Sequence, residues 1–307
     1  MIHSWLKSAD LQSLIGFFFF TKSIGTASLR QFVVLGLVFS FFLQPAVAAA
    51  HSLFIQSGRY QVSKGQQTPL FFCFGHHVPV ADAVRREKLA FVRVIDPAGK
   101  VNEIALRDEK SLHSYVVSYK ESGIYTLVAE TVPGYYTIYI DDKGREHHSL
   151  KPLYALGDKA TKIVTSLRSS QWTKSYVACD RPSMPFSGEV GLPLELIPQQ
   201  NIFSLKEGDS VVFTVKNEGE LYQGQGFWDA TYMGFSTESE DMYFPRTEVS
   251  GGQFILPIEH PGRWFVRFFT KTKAPENKHE MYLEEKRTTT LVFEVRNSRR
   301  RPRRSAP

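Results

Sequence analysis

The histidines are the side chains of this 307-residue chain best suited to chemistry, and one of the nine stands in an unusual setting. His51 follows an apolar run over 32–43, preceded by Arg30 and followed by Ala46-Val47-Ala48. A charged residue, a short apolar run and an Ala-x-Ala spacing are the marks of a secretory signal peptide. A permanent membrane span needs about 20 apolar residues, more than this run supplies. Cleavage after Ala48 would give Ala49-Ala50-His51 as the new start. A terminal amine, two amide nitrogens and a third-position imidazole then close a square-planar site suited to Ni(II) or Cu(II). Cleavage after Ala50 would make His51 the terminus itself, with amine and ring clasping one metal as a brace. The plain alternative is a frayed chain end with no ligand role.

Three further histidines are candidates for the same ion. In Phe71-Phe72-Cys73-Phe74-Gly75-His76-His77-Val78-Pro79, an apolar strand runs into a histidine pair. In a continued strand His76 and His77 would point to opposite faces. One ligand from the pair is therefore expected unless Gly75 or Pro79 bends the backbone; the alternative is two loop histidines. His113 shares strand parity with Tyr115, Val117 and Tyr119, which fits a hydrogen-bonded core histidine or a buried imidazole completing the site. Cys73 reads as core, or as a soft ligand. His147 and His148 follow the turn signature Asp141-Asp142-Lys143-Gly144 and rank below the others as surface residues. Six histidines fall between 51 and 148 and only His260 and His279 follow, which places metal chemistry on the first half.

The elements that must position these residues are strands. Short alternating segments punctuated by glycine and proline indicate an all-β chain. Two landmarks repeat. Tyr60-Gln-Val-Ser-Lys-Gly65 and Phe203-Ser-Leu-Lys-Glu-Gly208 each lead into an apolar strand, and Gly123 and Gly262 each open a later one. The spacing between landmarks is 58 residues in the first half and 54 in the second. This predicts two tandem immunoglobulin-like β-sandwich domains, over 51–180 and 181–296, with 1–50 as leader and 297–307 as a disordered basic tail. Leu153, Leu156, Ala160, Ile163, Val164 and Leu167 have helical spacing, which predicts a short accessory helix over about 153–170. Cys73 and Cys179 have no metal or redox spacing and are expected to remain unpaired.

Charge narrows the partners. Of 37 basic and 31 acidic residues, 29 and 30 remain once leader and tail are set aside. A near-neutral body is a poor surface for nucleic acid. The tail Arg299–Arg304 is either a solvated end or a weak contact for anionic membrane. No nucleophile elbow, phosphate loop, dinucleotide fingerprint or zinc-protease helix is present, so a non-enzymatic role is expected.

Four segments together carry a family resemblance: Ala50-His-Ser-Leu-Phe-Ile55, Gly191-Leu-Pro-Leu-Glu-Leu-Ile-Pro198, Leu205-Lys-Glu-Gly-Asp209 and His260-Pro-Gly-Arg-Trp-Phe-Val-Arg267. In order and spacing the chain resembles domain-of-unknown-function family 4198, associated with periplasmic components of nickel and cobalt uptake. The resemblance implies a periplasmic protein that binds a divalent transition metal as cargo, nickel or cobalt with copper also possible, for a membrane permease. His51, His76, His77 and His113 are the ligands proposed from the residues. Two other functions are compatible with the sequence. One is an envelope adhesin or carbohydrate-binding module without metal, for which Trp228, Tyr232 and Tyr243 would form the solvent-facing aromatic cluster. The other is a copper histidine-brace oxidase, which needs cleavage immediately before His51.

Overall fold

Strands with one apolar face pack in layers, and strands buried on both faces lose their alternation. Both kinds occur here. The computed structural model describes residues 51–75, 78, 82–180, 188–238 and 241–297. The described chain is all-β, with short 3-10 segments between strands. One large sheet runs, in order, through Phe244–Ser250, Gln225–Tyr232, Gly262–Lys273, Glu284–Val295, Lys162–Cys179, Gly123–Thr131, Leu89–Ile95 and Val101–Glu103. Its neighbours along that path are antiparallel except at the centre, where Lys162–Cys179 and Glu284–Val295 pair in parallel. The halves of the chain therefore share a sheet, and the described residues form one compact unit.

Two small sheets cover this large one. Ser52–Ser57, Gln67–Gly75 and Ser114–Ser118 form the first; Leu194–Pro198, Ser210–Asn217 and Gln253–Pro257 form the second with the short Glu220–Leu221 strand. Side-chain parity on the central strand shows that they cover opposite faces. Val177 and Cys179 join a core with Leu53, Ile55, Leu70, Phe72 and Leu127. Trp172 and Tyr176 point the other way, into a core with Leu194, Leu196, Phe213, Phe254 and Phe293.

The repeated landmarks take equivalent positions. Gly65 donates its N–H to Tyr119 O at 2.7 Å, and Tyr119 N–H returns to Gln66 O at 3.0 Å. Gly208 donates to Ile258 O at 2.8 Å, and Ile258 N–H returns to Asp209 O at 2.9 Å. Both glycines have left-handed φ, 86° and 94°, which a residue with a Cβ adopts at a cost. Gly123 and Gly262, each four residues past the acceptor, open strands at matching places in the large sheet.

The accessory helix expected over about 153–170 does not form. Leu153–Lys159 is a 3-10 segment interrupted at Gly157, and Lys162–Cys179 is an 18-residue strand. Ile163, Val164 and Thr165 are β-branched and favour the extended chain, while Gly157 at φ 53° breaks the helix. The helical spacing arose from two unlike elements read as one. Residues 181–187, at the expected boundary between the two domains, lie outside the described residues. Cys73 and Cys179 are buried in separate clusters and form no disulfide.

A buried ion pair fixes the second small sheet to the central strand. Lys174, fully buried, donates from Nζ to Glu195 Oε1 and to Gly188 O, each at 2.5 Å. Glu195 also accepts the backbone N–H groups of Val190, Gly191 and Leu192 at 2.7–3.1 Å. Burial pushes the Lys174 ammonium down to about 8, against the opposing pull of Glu195. Lys174→Met should cost about 3–5 kcal/mol in urea unfolding, because it strands a buried carboxylate. Adding Glu195→Gln should recover part of that loss. A lowered lysine pKa means that the unfolded chain holds the extra proton between pH 8 and 10.5, so this group's contribution to stability rises across that window. The rise should be missing from the Lys174→Met variant.

Candidate functional site

The strand Ser52–Ser57, which His51 immediately precedes, is buried along its whole length. Among the described residues it makes backbone pairs with Gln67–Gly75 on one edge only. On the other edge, polar side chains of the large sheet stand in for a neighbouring strand. Gln171 bridges it with both ends of its amide: Oε1 accepts Leu53 N–H at 2.7 Å and Nε2 donates to His51 O at 3.1 Å. Thr173 Oγ1 accepts Ile55 N–H at 3.0 Å, and Thr290 donates to Leu53 O at 2.7 Å. Arginines complete the row. Arg267 reaches Ser52 Oγ at 3.2 Å while its guanidinium grips Asp229, and Arg263 reaches Gln56 Oε1 at 2.7 Å and Ser57 O at 3.2 Å. Phe54 packs on Phe265 with ring centroids 5.3 Å apart.

His51 thus stands at the anchored start of a rigid strand. Its Nε2 lies 3.0 Å from Asp82 Oδ2, with side-chain exposures of 43% and 74%. The ring stacks on Phe74 at 5.9 Å and 8°. Asp82 is held by two backbone hydrogen bonds with Phe74, both at 3.0 Å. Lys88 Nζ lies 5.2 Å from the Phe74 ring, a positive charge at the edge of the site. The register pairs Ser52 with Gly75, so the residue before His76 is the cross-strand partner of the residue after His51. His76 and His77 themselves lie outside the described residues. Among the described residues, no group of three or more His, Cys, Asp or Glu side chains is placed to hold a metal.

His113 is a satisfied core residue. It is 0% exposed, its Nδ1 lies 3.1 Å from Tyr115 Oη and its Nε2 lies 3.2 Å from Val84 O. Its ring stacks on Phe72, whereas the His51 ring stacks on Phe74. Cys73 belongs to the cluster with Phe54, Phe265 and Val292. His147 and His148 lie on the hairpin that follows Gly134–Ile140. His147 Nε2 meets Asp141 Oδ2 at 2.9 Å, and that contact, with hydrogen bonds from the Arg145 and Lys143 backbones, holds the Asp141 carboxyl well below its ordinary range. His148 Nδ1 meets Tyr136 Oη at 2.7 Å. Trp228 is buried and stacks on Phe254 at 4.8 Å, while Tyr232 and Tyr243 pack around Trp264. Trp228 is core, while Tyr232 and Tyr243 are partly exposed and pack against it from outside.

Asp82 and Gln171 were missed by sequence reasoning. Gln171, Thr173 and Ser175 alternate with the buried Trp172, Lys174 and Tyr176, and a polar stripe inside a buried strand is the signal that would have flagged them. Asp82 gave none, because its approach to His51 depends on how the chain returns to Phe74.

The sequence profile of the family described as Domain of unknown function (DUF4198) matches residues 48–272. No curated protein matches the chain. Among solved structures, the chain is similar to a DUF4785 family protein from Legionella pneumophila at 11% identity. That match covers 70% of this chain and 50% of the other, with a TM-score of 0.21. It is also similar to Escherichia coli alpha-2-macroglobulin activated by porcine elastase, at 10% identity over 82% of this chain and 31% of that one, with a TM-score of 0.21. A third likeness is murine CEACAM1b, at 10% identity over 80% and 99% of the two chains, with a TM-score of 0.17. The chain spans half the length of the Legionella protein and less than a third of the macroglobulin. At these TM-scores none of the likenesses bears on what the chain does.

Replacing Gln171 with leucine should leave the His51 carbonyl and the Leu53 N–H without their partner. A loss of about 1–3 kcal/mol is expected for a buried group left unsatisfied. Hydrogen exchange should speed up at Leu53 while Leu127, in the opposite layer of the same core, stays protected; equal protection at Leu53 would contradict the strand-edge role.

Proposed function

Since this chain belongs to domain-of-unknown-function family DUF4198, we propose that it is a periplasmic, non-enzymatic protein that binds nickel or cobalt and delivers it to a membrane uptake transporter. The observation that carries the reading is the position of His51. Its imidazole sits beside a carboxylate at the anchored start of the first strand, one register step from the chain that enters His76-His77. Imidazole and carboxylate are both ligands for divalent first-row metals. Signal cleavage at Ala48 or Ala50 would add a terminal amine within three residues of the same ring. His51, with one or both of His76 and His77, supplies the nitrogen ligands, and Asp82 joins them or orients the ring. His113 enters this scheme as support, stacked on Phe72 and fixing the strand that leads to the site.

In the same reading the two halves are immunoglobulin-like modules fused edge to edge. The matched hydrogen bonds around Gly65 and Gly208 support a duplication. The adhesin alternative would have to use Tyr232 and Tyr243, which are partly exposed, because Trp228 is buried. A copper brace requires His51 to be the terminus itself, and the mature amino terminus distinguishes that case directly.

Mass spectrometry of the exported protein should place the terminus at Ala49, Ala50 or His51. Calorimetry on that material should show nickel or cobalt binding accompanied by proton release, because ligands must shed protons to bind metal. The His51→Ala, His76→Ala, His77→Ala triple variant should bind at least tenfold more weakly. Unchanged binding would move the site elsewhere, and an absence of binding by the processed wild-type protein would sink the metal reading.

A further inference from the structure

Where Gln225–Tyr232 finishes and Gly262–Lys273 starts, the large sheet carries an aromatic surface that the metal reading leaves unused. Met233 N–H donates to Arg263 O at 2.8 Å and Phe235 N–H to Tyr232 O at 3.2 Å, in a turn whose Gly234 has φ 95°. The turn leaves Met233 46% and Phe235 37% exposed. Behind them Tyr232, Tyr243 and His260 are half-buried. The rings adjoin: Phe235 and Tyr243 centroids lie 5.1 Å apart, Tyr232 and Tyr243 5.1 Å, and Tyr232 and His260 4.5 Å. Apolar side chains left exposed in one contiguous patch mark an interaction surface.

The patch is rimmed with negative charge. Glu238, Asp241, Glu259 and Glu294 are exposed carboxylates. Glu238 and Asp241 follow Phe235 on the chain that returns to Tyr243, Glu259 accepts the Tyr243 hydroxyl, and Glu294 stands opposite Arg263 in the sheet. Among the described residues none of these four is in an ion pair, and Arg263 turns its guanidinium to Gln56 and Ser57. The last described strand ends at the same place. Val295 pairs with Gly262, and Glu294, Val295, Arg296 and Asn297 face Pro261 and Gly262 across a groove of about 590 Å³. Arg296 offsets one of the rim charges.

Two residues beyond that groove begins Arg299-Arg300-Arg301-Pro302-Arg303-Arg304, five positive charges with no acid among them. We propose that this arginine segment docks across the acid-rimmed aromatic surface of its own chain. Its reach is sufficient. At no more than about 3.5 Å per residue, the six residues span up to about 20 Å. The ring-to-ring steps from His260 through Tyr232 to Phe235 are 4.5 and 5.8 Å. The chemistry matches as well, because a guanidinium stacks on an aromatic face while its edge bonds a carboxylate, and the segment holds arginine and no lysine. Attachment favours this occupant over a dissolved partner, since a short tether gives an effective concentration in the millimolar range. A bare anionic membrane would attract the arginines, but the carboxylate rim would repel it from the aromatic surface. The inference does not depend on His51 or on the metal reading.

Hydrogen exchange on the processed full chain at low ionic strength reads the docking at the Met233 and Phe235 amides. A full-chain variant with Arg299, Arg300, Arg301, Arg303 and Arg304 each changed to Gln should exchange there about fivefold faster, the effect of one exposed cation–π contact. Wild-type protein should match that variant in about 0.5 M sodium chloride, where exposed charges are screened within a few ångströms. A fluorescent peptide of residues 298–307 should bind the arginine variant. Adding Phe235→Ala, or Glu238→Gln with Asp241→Asn, should weaken that binding by a similar factor. The proposal fails if wild type and the arginine variant exchange alike at these amides. It fails too if exchange slows only when phosphatidylglycerol vesicles are added, which would give the arginines to a membrane surface.

Discussion

Every strand has two edges of hydrogen-bonding groups, and a buried edge must find partners. The opening strand Ser52–Ser57 meets this requirement with side chains instead of a second strand. Gln171, Thr173, Thr290, Arg263 and Arg267 together serve groups along the edge that Gln67–Gly75 leaves open. These residues come from three neighbouring strands of the large sheet, drawn from both halves of the chain. The arrangement explains why that sheet carries buried threonines, a glutamine and paired arginines where apolar residues would otherwise pack. It also explains why His51 is held in place at the head of the strand.

The four segments that carry the family resemblance are parts of this construction. Ser52–Ile55 belong to the clamped strand, and Arg263 and Arg267 of the His260–Arg267 segment are two of its clamps. Glu195 in the Gly191–Pro198 segment gathers three backbone N–H groups and the Lys174 ammonium. Gly208 in the Leu205–Asp209 segment makes the turn that enters the second small sheet. The family's signature is thus largely a set of instructions for joining two halves, and His51 is the member with chemistry to spare.

Much of the fold was legible because its causes are local. Alternation gave the all-β class, and Gly65, Gly123, Gly208 and Gly262 marked turns and strand starts that take matching positions, since left-handed backbone leaves glycine behind. The helix over 153–170 failed where local spacing was ambiguous and β-branched Ile163, Val164 and Thr165 decided the outcome. The central parallel pairing was not legible, because nothing in Lys162–Cys179 names a partner more than a hundred residues away. The site was half legible. His51 announced itself by its position after the leader-like run, whereas Asp82 and Gln171 reach it through tertiary routing that no spacing rule encodes.

The bond from Thr290 to the Leu53 carbonyl joins positions 237 residues apart. Contacts of such long range form late, because the intervening chain must first be brought together. A polypeptide delivered amino terminus first would present its opening strand long before Thr290, Arg263 and Arg267 arrive to receive it. Until then that strand has only one satisfied edge, and the apolar Leu53, Phe54 and Ile55 lack part of their cover. Completion of the fold is therefore timed by the last strand to emerge. A chain cut short anywhere before residue 290 would keep an unfinished, sticky edge at its front, which is the form that quality-control proteases recognise.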